Sequence, residues 1–403
     1  MKRFKRLMIL LVINICIFSI ISPTAIVNAE EEENKSAIET IVDEGMIDPE
    51  TNKDLMGLYD YINKMKVDVE LMNDLDPVEY VKSYITNGKG NLSFSQLGKA
   101  VVYLLFKEVG SVLKLAISMI VIAILCTLLK NLQDAFSTKS ISQIAFYACY
   151  AVMVMLLSKS FLISISVAKD VINGVADFMA AILPVLVTMI ALAGGVTQAA
   201  TIDPIVMAAV VIIPRIYVTV IIPLIMVGFV LQFANNLSEE HKIDNLCKLL
   251  KQWTVWIQGI IITSFIALLT IRGITSTTID AVALKTTKFA VDNFIPIVGK
   301  AFSDAITSVA GYSLIIKNAI SGIGLMVIIL IILYPIIKMV LMTFIYKMSA
   351  ALVEPISDKR ITSTIAATGD SLVLLLSCVL SVSLMFFVLL AIMASAGKFI
   401  VGG

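Results

Sequence analysis

From residue 97 onward the chain alternates long apolar runs with short polar breaks rich in lysine. Leu97–Lys114 is amphipathic, and Leu115–Leu129 completes a first span. Ile144–Leu157 runs on toward Val167 past Lys159. Phe178–Val196, Ile205–Ala234, Trp253–Ile271, Ile320–Ile345 and Ser371–Ala396 follow. Apolar runs of about 20 residues read as helices that cross a hydrocarbon core roughly 30 Å thick. Prolines at 184, 214, 223 and 335 fall inside these runs, where they remove a backbone donor and crowd the preceding turn. The pattern predicts an all-α, polytopic membrane helix bundle with proline-broken or re-entrant helices.

One stretch differs in kind. Between Lys285 and Ser308 the polar residues Lys285, Lys288, Asp292, Lys300 and Asp304 recur at helical spacing, with Pro296 in the same stripe. Val291, Ile295, Val298, Phe302, Ile306 and Val309 form an apolar stripe on another side. Such a helix lies along a membrane surface or lines a polar cavity. Two further charges fall deep in apolar runs: Arg215 beside Pro214, and Lys338 three residues after Pro335. Charge inside a span is costly and usually faces a bundle interior or water. These eight residues are the candidates for a pathway or a partner-docking surface. Lys159 and Lys317 sit nearer span ends, where a lysine reaches back to water.

A constant offset of 112 residues pairs Pro184 with Pro296, Pro223 with Pro335, Leu156-Leu157 with Leu268-Leu269, Ser164 with Ser276, and Lys139 with Lys251. This predicts an internal repeat, about 144–255 and 256–367, followed by a final span at 371–396. If 178–213 is a broken or re-entrant unit making an even number of crossings, the lysine loops at 130–143, 235–252 and 347–370 all face one side. The positive-inside bias makes that side the cytoplasm, and the C-terminus then lies outside.

Composition agrees, with 59% hydrophobic and only 15% charged residues, against roughly 25% charged in an ordinary globular domain. Charge is unevenly spread. Residues 30–84 hold sixteen acidic against five basic side chains, which gives no support for nucleic-acid binding. Residues 1–29 read as a signal peptide: Lys2, Arg3, Lys5 and Arg6, then the apolar core Leu7–Ile21, then Val27-Asn28-Ala29 as a small-residue cleavage site. Cleaved or retained as an anchor, it places the acidic helical segment 30–96 outside the cytoplasm, ahead of the membrane domain 97–403. Leu55, Leu58, Tyr59, Ile62 and Met65 give that segment a helical stripe.

Chemistry-bearing motifs are sparse. The five cysteines form no close pair, His241 is the one histidine, and no glycine-rich phosphate loop or nucleophile elbow occurs. Gly322-Ile323-Gly324 fits close helix packing. Asp292 and Asp304 share a stripe, but Lys288 and Lys300 stand four residues from them and are the natural partners. No catalytic residue, cofactor or metal is expected, and the chain does not read as an enzyme.

Several runs carry a resemblance: Lys285-Thr286-Thr287-Lys288-Phe289, Asn293-Phe294-Ile295-Pro296-Ile297-Val298-Gly299, Phe302-Ser303-Asp304-Ala305, Phe344-Ile345-Tyr346-Lys347 and Ser383-Leu384-Met385-Phe386-Phe387. With its length, signal peptide and membrane region, the chain resembles the stage III sporulation protein AE family of endospore-forming bacteria. The resemblance implies a multi-protein channel complex, like a secretion-type feeding tube, in the mother-cell membrane around the forespore. That complex supports late forespore gene expression. Implied partners are other stage III sporulation A-operon proteins, including the cytoplasmic ATPase stage III sporulation protein AA, and the stage II sporulation protein Q complex. Membrane lipid is the remaining partner, and nucleic acid is not one. Two other readings remain open on the residues alone: a self-contained secondary transporter for a small molecule, and a structural membrane scaffold.

Overall fold

The structure, a computed structural model, describes residues 58, 61–62, 94–135, 139–237, 243–294 and 299–395. Within the helices the side chains of 94–101, 104, 111, 130, 132–143, 145, 198, 201–203 and 272–306 lie outside the description. So do the signal peptide and most of the acidic segment. The described residues are helical, with no strand among them. In chain order they form α1 (Phe94–Ala135), α2 (Lys139–Leu192), α3 (Val196–Ile216), a π-helical turn (Tyr217–Ile221), α4 (Ile222–Leu237), α5 (Asp244–Phe294), α6 (Gly299–Val353) and α7 (Lys359–Ser395). Taking α3, the turn and α4 as one rod gives six helices long and apolar enough to cross a membrane.

The prolines do less than their positions suggest. α2 continues through Pro184, α3 through Pro204 and Pro214, and α6 through Pro335. Among the described residues the visible departure is the π turn before Pro223, where the Ile222 amide reaches the Tyr217 carbonyl. A π turn absorbs one extra residue without ending the helix. The expected 178–213 unit is built as a hairpin end rather than a re-entrant loop. Residues 178–192 continue α2, Gly194-Gly195 turns the chain, and α3 returns. Gly194 takes φ 92, a left-handed conformation that suits glycine. Its amide bonds to Ala191 O at 3.0 Å, and the Gly195 amide to Ile190 O at 2.9 Å, which is a Schellman closure.

The expected single amphipathic helix over Lys285–Ser308 is instead divided. Its first half ends α5 at Phe294 and its second half opens α6 at Gly299. Pro296 falls between them, outside the described residues, where it cannot donate to a helix and disfavours helical geometry just before it.

Six rods pack with α2, α6 and α7 at the centre. α1 lies against α2 and α6; the α3–α4 rod lies against α2, α5 and α7. α7 buries 67% of its apolar window and α5 22%, so α7 is the axis of the bundle and α5 a flank. Close approach of α6 to α2 and α7 falls at Gly324, where a Cβ would run into Ile182 and Leu390. Phe161 of α2 stacks on Phe229 of α4 at 3.8 Å between ring centroids.

The helix ends that flank the three lysine-bearing loops converge on one end. There the Thr127 hydroxyl donates to Ser357 Oγ at 2.9 Å, Tyr150 and Thr364 share a 2.8 Å bond, and Asn236 reaches Thr364. Asn235 clamps the α4–α5 turn, accepting from the Ile243 amide at 2.7 Å and donating to Asp244 at 2.6 Å. At the opposite end Leu58 and Ile62 are buried, and Tyr61 meets Phe178 of α2 at 6.4 Å between centroids. Of the stripe expected in the acidic segment, Leu58 and Ile62 are described and buried, while Leu55, Tyr59 and Met65 lie outside the described residues.

Candidate functional site: a polar layer across the middle of the bundle

Charged side chains mark the lysine-rich end. Asp370 of α7 accepts from Lys251 of α5 and from Lys347 of α6, each at 3.0 Å. Trp253 and Trp256, both exposed, stand within two turns of Lys251, where aromatic side chains favour a membrane–water interface. Arg360 lies over the Phe146 ring at 5.6 Å.

Moving inward from these pairs, Lys338 lies nine residues from Lys347, Cys378 eight from Asp370, and Gln258 seven from Lys251. At roughly 1.5 Å rise per residue these lie about 10–14 Å along their helices from those pairs. Three helices therefore bring polar groups to one level. Two clusters occupy it.

The first joins α1 to α6. The Tyr334 hydroxyl donates to Glu108 Oε1 at 2.8 Å and accepts from Lys338 Nζ at 3.2 Å. Lys338 Nζ lies 3.9 Å from Glu108 Oε2 and 5.4 Å from the centre of the Tyr334 ring. Glu108 is 10% exposed and Lys338 24%, so the pair is largely withdrawn from solvent. The phenol serves as a bridge between ammonium and carboxylate. The second cluster joins α5 to α7. Gln258 Oε1 accepts from Ser377 at 3.0 Å and Ser381 at 3.4 Å, and its Nε2 donates to Cys378 Sγ at 3.4 Å. Tyr217, wholly buried in the π turn, sets its hydroxyl beside Ser381. π turns recur at functional positions because they re-aim side chains.

The layer holds opposite charges and hydroxyls in pairs between helices. It supplies hydrogen-bonding groups inside the bundle, and each pair opens if its two helices part.

Of the residues singled out from sequence, Lys338 is in this layer. Arg215 is exposed on α3, two residues before Tyr217. Lys285, Lys288 and Asp292 fall on the far part of α5, and Lys300 and Asp304 on the first turns of α6; their side chains and Pro296 lie outside the described residues. Lys317 is fully buried near the end opposite the lysines, donating to Ala394 O at 2.9 Å. Its reach is into the bundle, not back to water. Glu108, Tyr334 and Gln258 were not legible as a group. A usable signal existed for two of them: Glu108 is the sole carboxylate in its span, and Gln258 the sole carboxamide in Trp253–Ile271.

The family model described as stage III sporulation protein AE matches residues 75–397, which include every residue of the layer. The chain belongs to the stage III sporulation protein AE family. Stage III sporulation protein AE of Bacillus subtilis (strain 168) is 30% identical over 312 residues, covering 77% of this chain and 78% of the relative. No solved structure matches the chain. The family match begins near the end of the acidic segment, so the resemblance of the membrane region, and not of residues 1–74, defines membership.

Proposed function

We propose that the chain is a membrane core component of a channel complex linking mother cell and forespore, needed for late forespore gene expression during sporulation. The observation that carries the reading is the polar layer between the rods of a six-rod membrane bundle of a sporulation family. A subunit that only anchors others has no need of a largely buried ion pair between its helices, because charge withdrawn from water is costly to retain. The lysine-rich end faces the mother-cell cytoplasm, in keeping with the positive-inside bias. Its basic loops suit a cytoplasmic ATPase partner, which would supply the energy that a chain lacking a phosphate loop does not.

At the opposite end, α5 runs well beyond the apolar window that closes at Ile271. The stripe Lys285, Lys288, Asp292, Lys300 and Asp304 is a docking surface there for other stage III A-operon subunits or the stage II sporulation protein Q complex. The acidic segment stands on the same, extracytoplasmic side.

The test is a deletion strain carrying a late forespore reporter and a second copy of the gene under control. Engulfment without late reporter expression, restored by the full chain, is the expected result. Normal late expression without the chain contradicts the proposal.

A further inference from the structure

The axial helix of the bundle is not covered on every side. On α7, Ala366, Asp370, Val373, Ser377, Leu380 and Leu384 are half-buried or exposed, and spacings of three and four put them on one stripe. The flanks of the stripe name its neighbours. On one flank Gly369 lies under α6, where an added Cβ would come 3.1 Å from the Lys347 stem and 3.5 Å from Tyr346. On the other flank Cys378 and Ser381 meet Gln258 of α5. The stripe is therefore the floor of a gap between α5 and α6. Its rims are apolar and exposed, with Val255, Trp256 and Ile260 on α5 and Val340 and Phe344 on α6. Ser377 donates within the chain, to Gln258 and to Leu374 O, so inward of Asp370 the floor calls for an apolar occupant. The lysine-rich end of the gap differs. Lys251 and Lys347 share the Asp370 carboxylate, each at 3.0 Å, so these three side chains together carry one net positive charge. Lys251 is 43% exposed, Lys347 35% and Asp370 45%, which leaves the cluster open to a group from outside. Exposed Lys248 stands one turn before Lys251.

We infer that this gap holds an anionic phospholipid of the leaflet at the lysine-rich end, its phosphate on Lys251 and Lys347 and an acyl chain along the α7 stripe. Charge and surroundings together select the occupant. A phosphodiester carries one negative charge, which matches the single excess positive charge of the cluster, and it arrives with the hydrocarbon that the stripe requires. A zwitterionic lipid brings its own cation to the same place and gains less. A soluble acidic peptide would answer the lysines and leave the stripe bare, whereas an apolar helix would fill the stripe and leave the charge unanswered. Exposed ion pairs hold each other weakly, so both ammoniums keep donors for a phosphate while they touch Asp370. Trp253 and Trp256, exposed on the outer side of α5 next to the cluster, are placed as interfacial anchors beside a lipid headgroup.

This rests on the membrane placement of the bundle and not on the channel role, so its failure leaves that role standing. The protein's two tryptophans are Trp253 and Trp256, so intrinsic emission reads the lipid beside α5. The experiment uses the full chain in phosphatidylcholine nanodiscs containing a rising fraction of dibrominated phosphatidylglycerol, matched against the same fractions of dibrominated phosphatidylcholine. Bromine quenches a neighbouring indole, so the ratio of the two curves measures enrichment of the anionic lipid. The expected result is an enrichment of about fivefold that saturates, the value for one lysine's attraction to an anionic headgroup. Asp370→Asn frees both ammoniums and raises the enrichment. The neutral triple variant, Lys251→Gln with Lys347→Gln and Asp370→Asn, strands no charge and brings the two curves together. Equal quenching by both lipids in the unsubstituted chain would overturn the inference. So would an enrichment that survives in the triple variant, one that falls in Asp370→Asn, or tryptophans that neither brominated lipid quenches, as when another protein covers the gap.

Discussion

Glu108, Tyr334 and Lys338 are separated by more than two hundred residues of chain on one side and by a single helical turn on the other. Their joint energetics make a definite prediction. Removing one member of a buried ion pair strands the other, at a typical cost of about 3–5 kcal/mol; partial exposure of Lys338 places Glu108→Leu nearer about 2–3 kcal/mol. Glu108→Leu with Lys338→Met leaves no stranded charge and recovers much of that loss. Thermal unfolding of Glu108→Leu, Lys338→Met and the double variant in lipid nanodiscs measures it, and a double variant as unstable as the two single losses combined would refute the pairing. Gln258→Leu behaves differently. Ser377 and Ser381 keep backbone acceptors at Leu374 O and Ser377 O, so the expected cost is about 0.5–1 kcal/mol. Lys338 was legible from sequence because a charge in an apolar run is rare. Its partners were not, because Tyr334 reads as one more aromatic in a span, and the Glu108 contact is set by how α1 lies on α6.

Single glycines set two of the element contacts. Gly324 marks the crossing of α6 with α2 and α7, so Gly324→Leu overpacks it at a cost of about 1–3 kcal/mol, readable as a lower unfolding temperature. Gly194→Ala puts a Cβ on a residue at positive φ and costs about 1 kcal/mol by the same measurement. An unchanged unfolding temperature in either variant would show that the crossing or the turn is looser than described. Periodicity located the rods but misjudged their joints. Phe178–Val196 looked like a separate segment because Lys159, Lys169, Asp170 and Asp177 dilute the apolar run before it. In the fold those charges ride one continuous helix, Lys159, Asp170 and Asp177 on its exposed side and Lys169 half-buried. The stripe from Lys285 to Asp304 looked like one helix because periodicity alone does not show where one helix ends and the next begins.

At the scale of the whole molecule the charge distribution was the most informative signal. The helix ends that flank the three lysine loops meet at one end of the bundle, joined by the Thr127–Ser357 and Tyr150–Thr364 contacts, and the positive-inside bias predicts that this end faces the cytoplasm. Cysteines introduced at Ser137, Glu240 and Asp358 should resist an impermeant thiol reagent applied from outside, while those at Asp60 and Gly402 should react. Outside labelling of Glu240→Cys would invert the orientation and with it the placing of a cytoplasmic partner. What no pattern along the chain could show is that polar groups from four rods share one depth, since that depends on helix stagger. The most direct measurement of whether that layer serves sporulation is late forespore reporter expression in a strain whose sole copy carries Glu108→Leu and Lys338→Met, with the protein quantified by immunoblot. The account predicts normal abundance and loss of late expression; normal abundance with wild-type expression would contradict it.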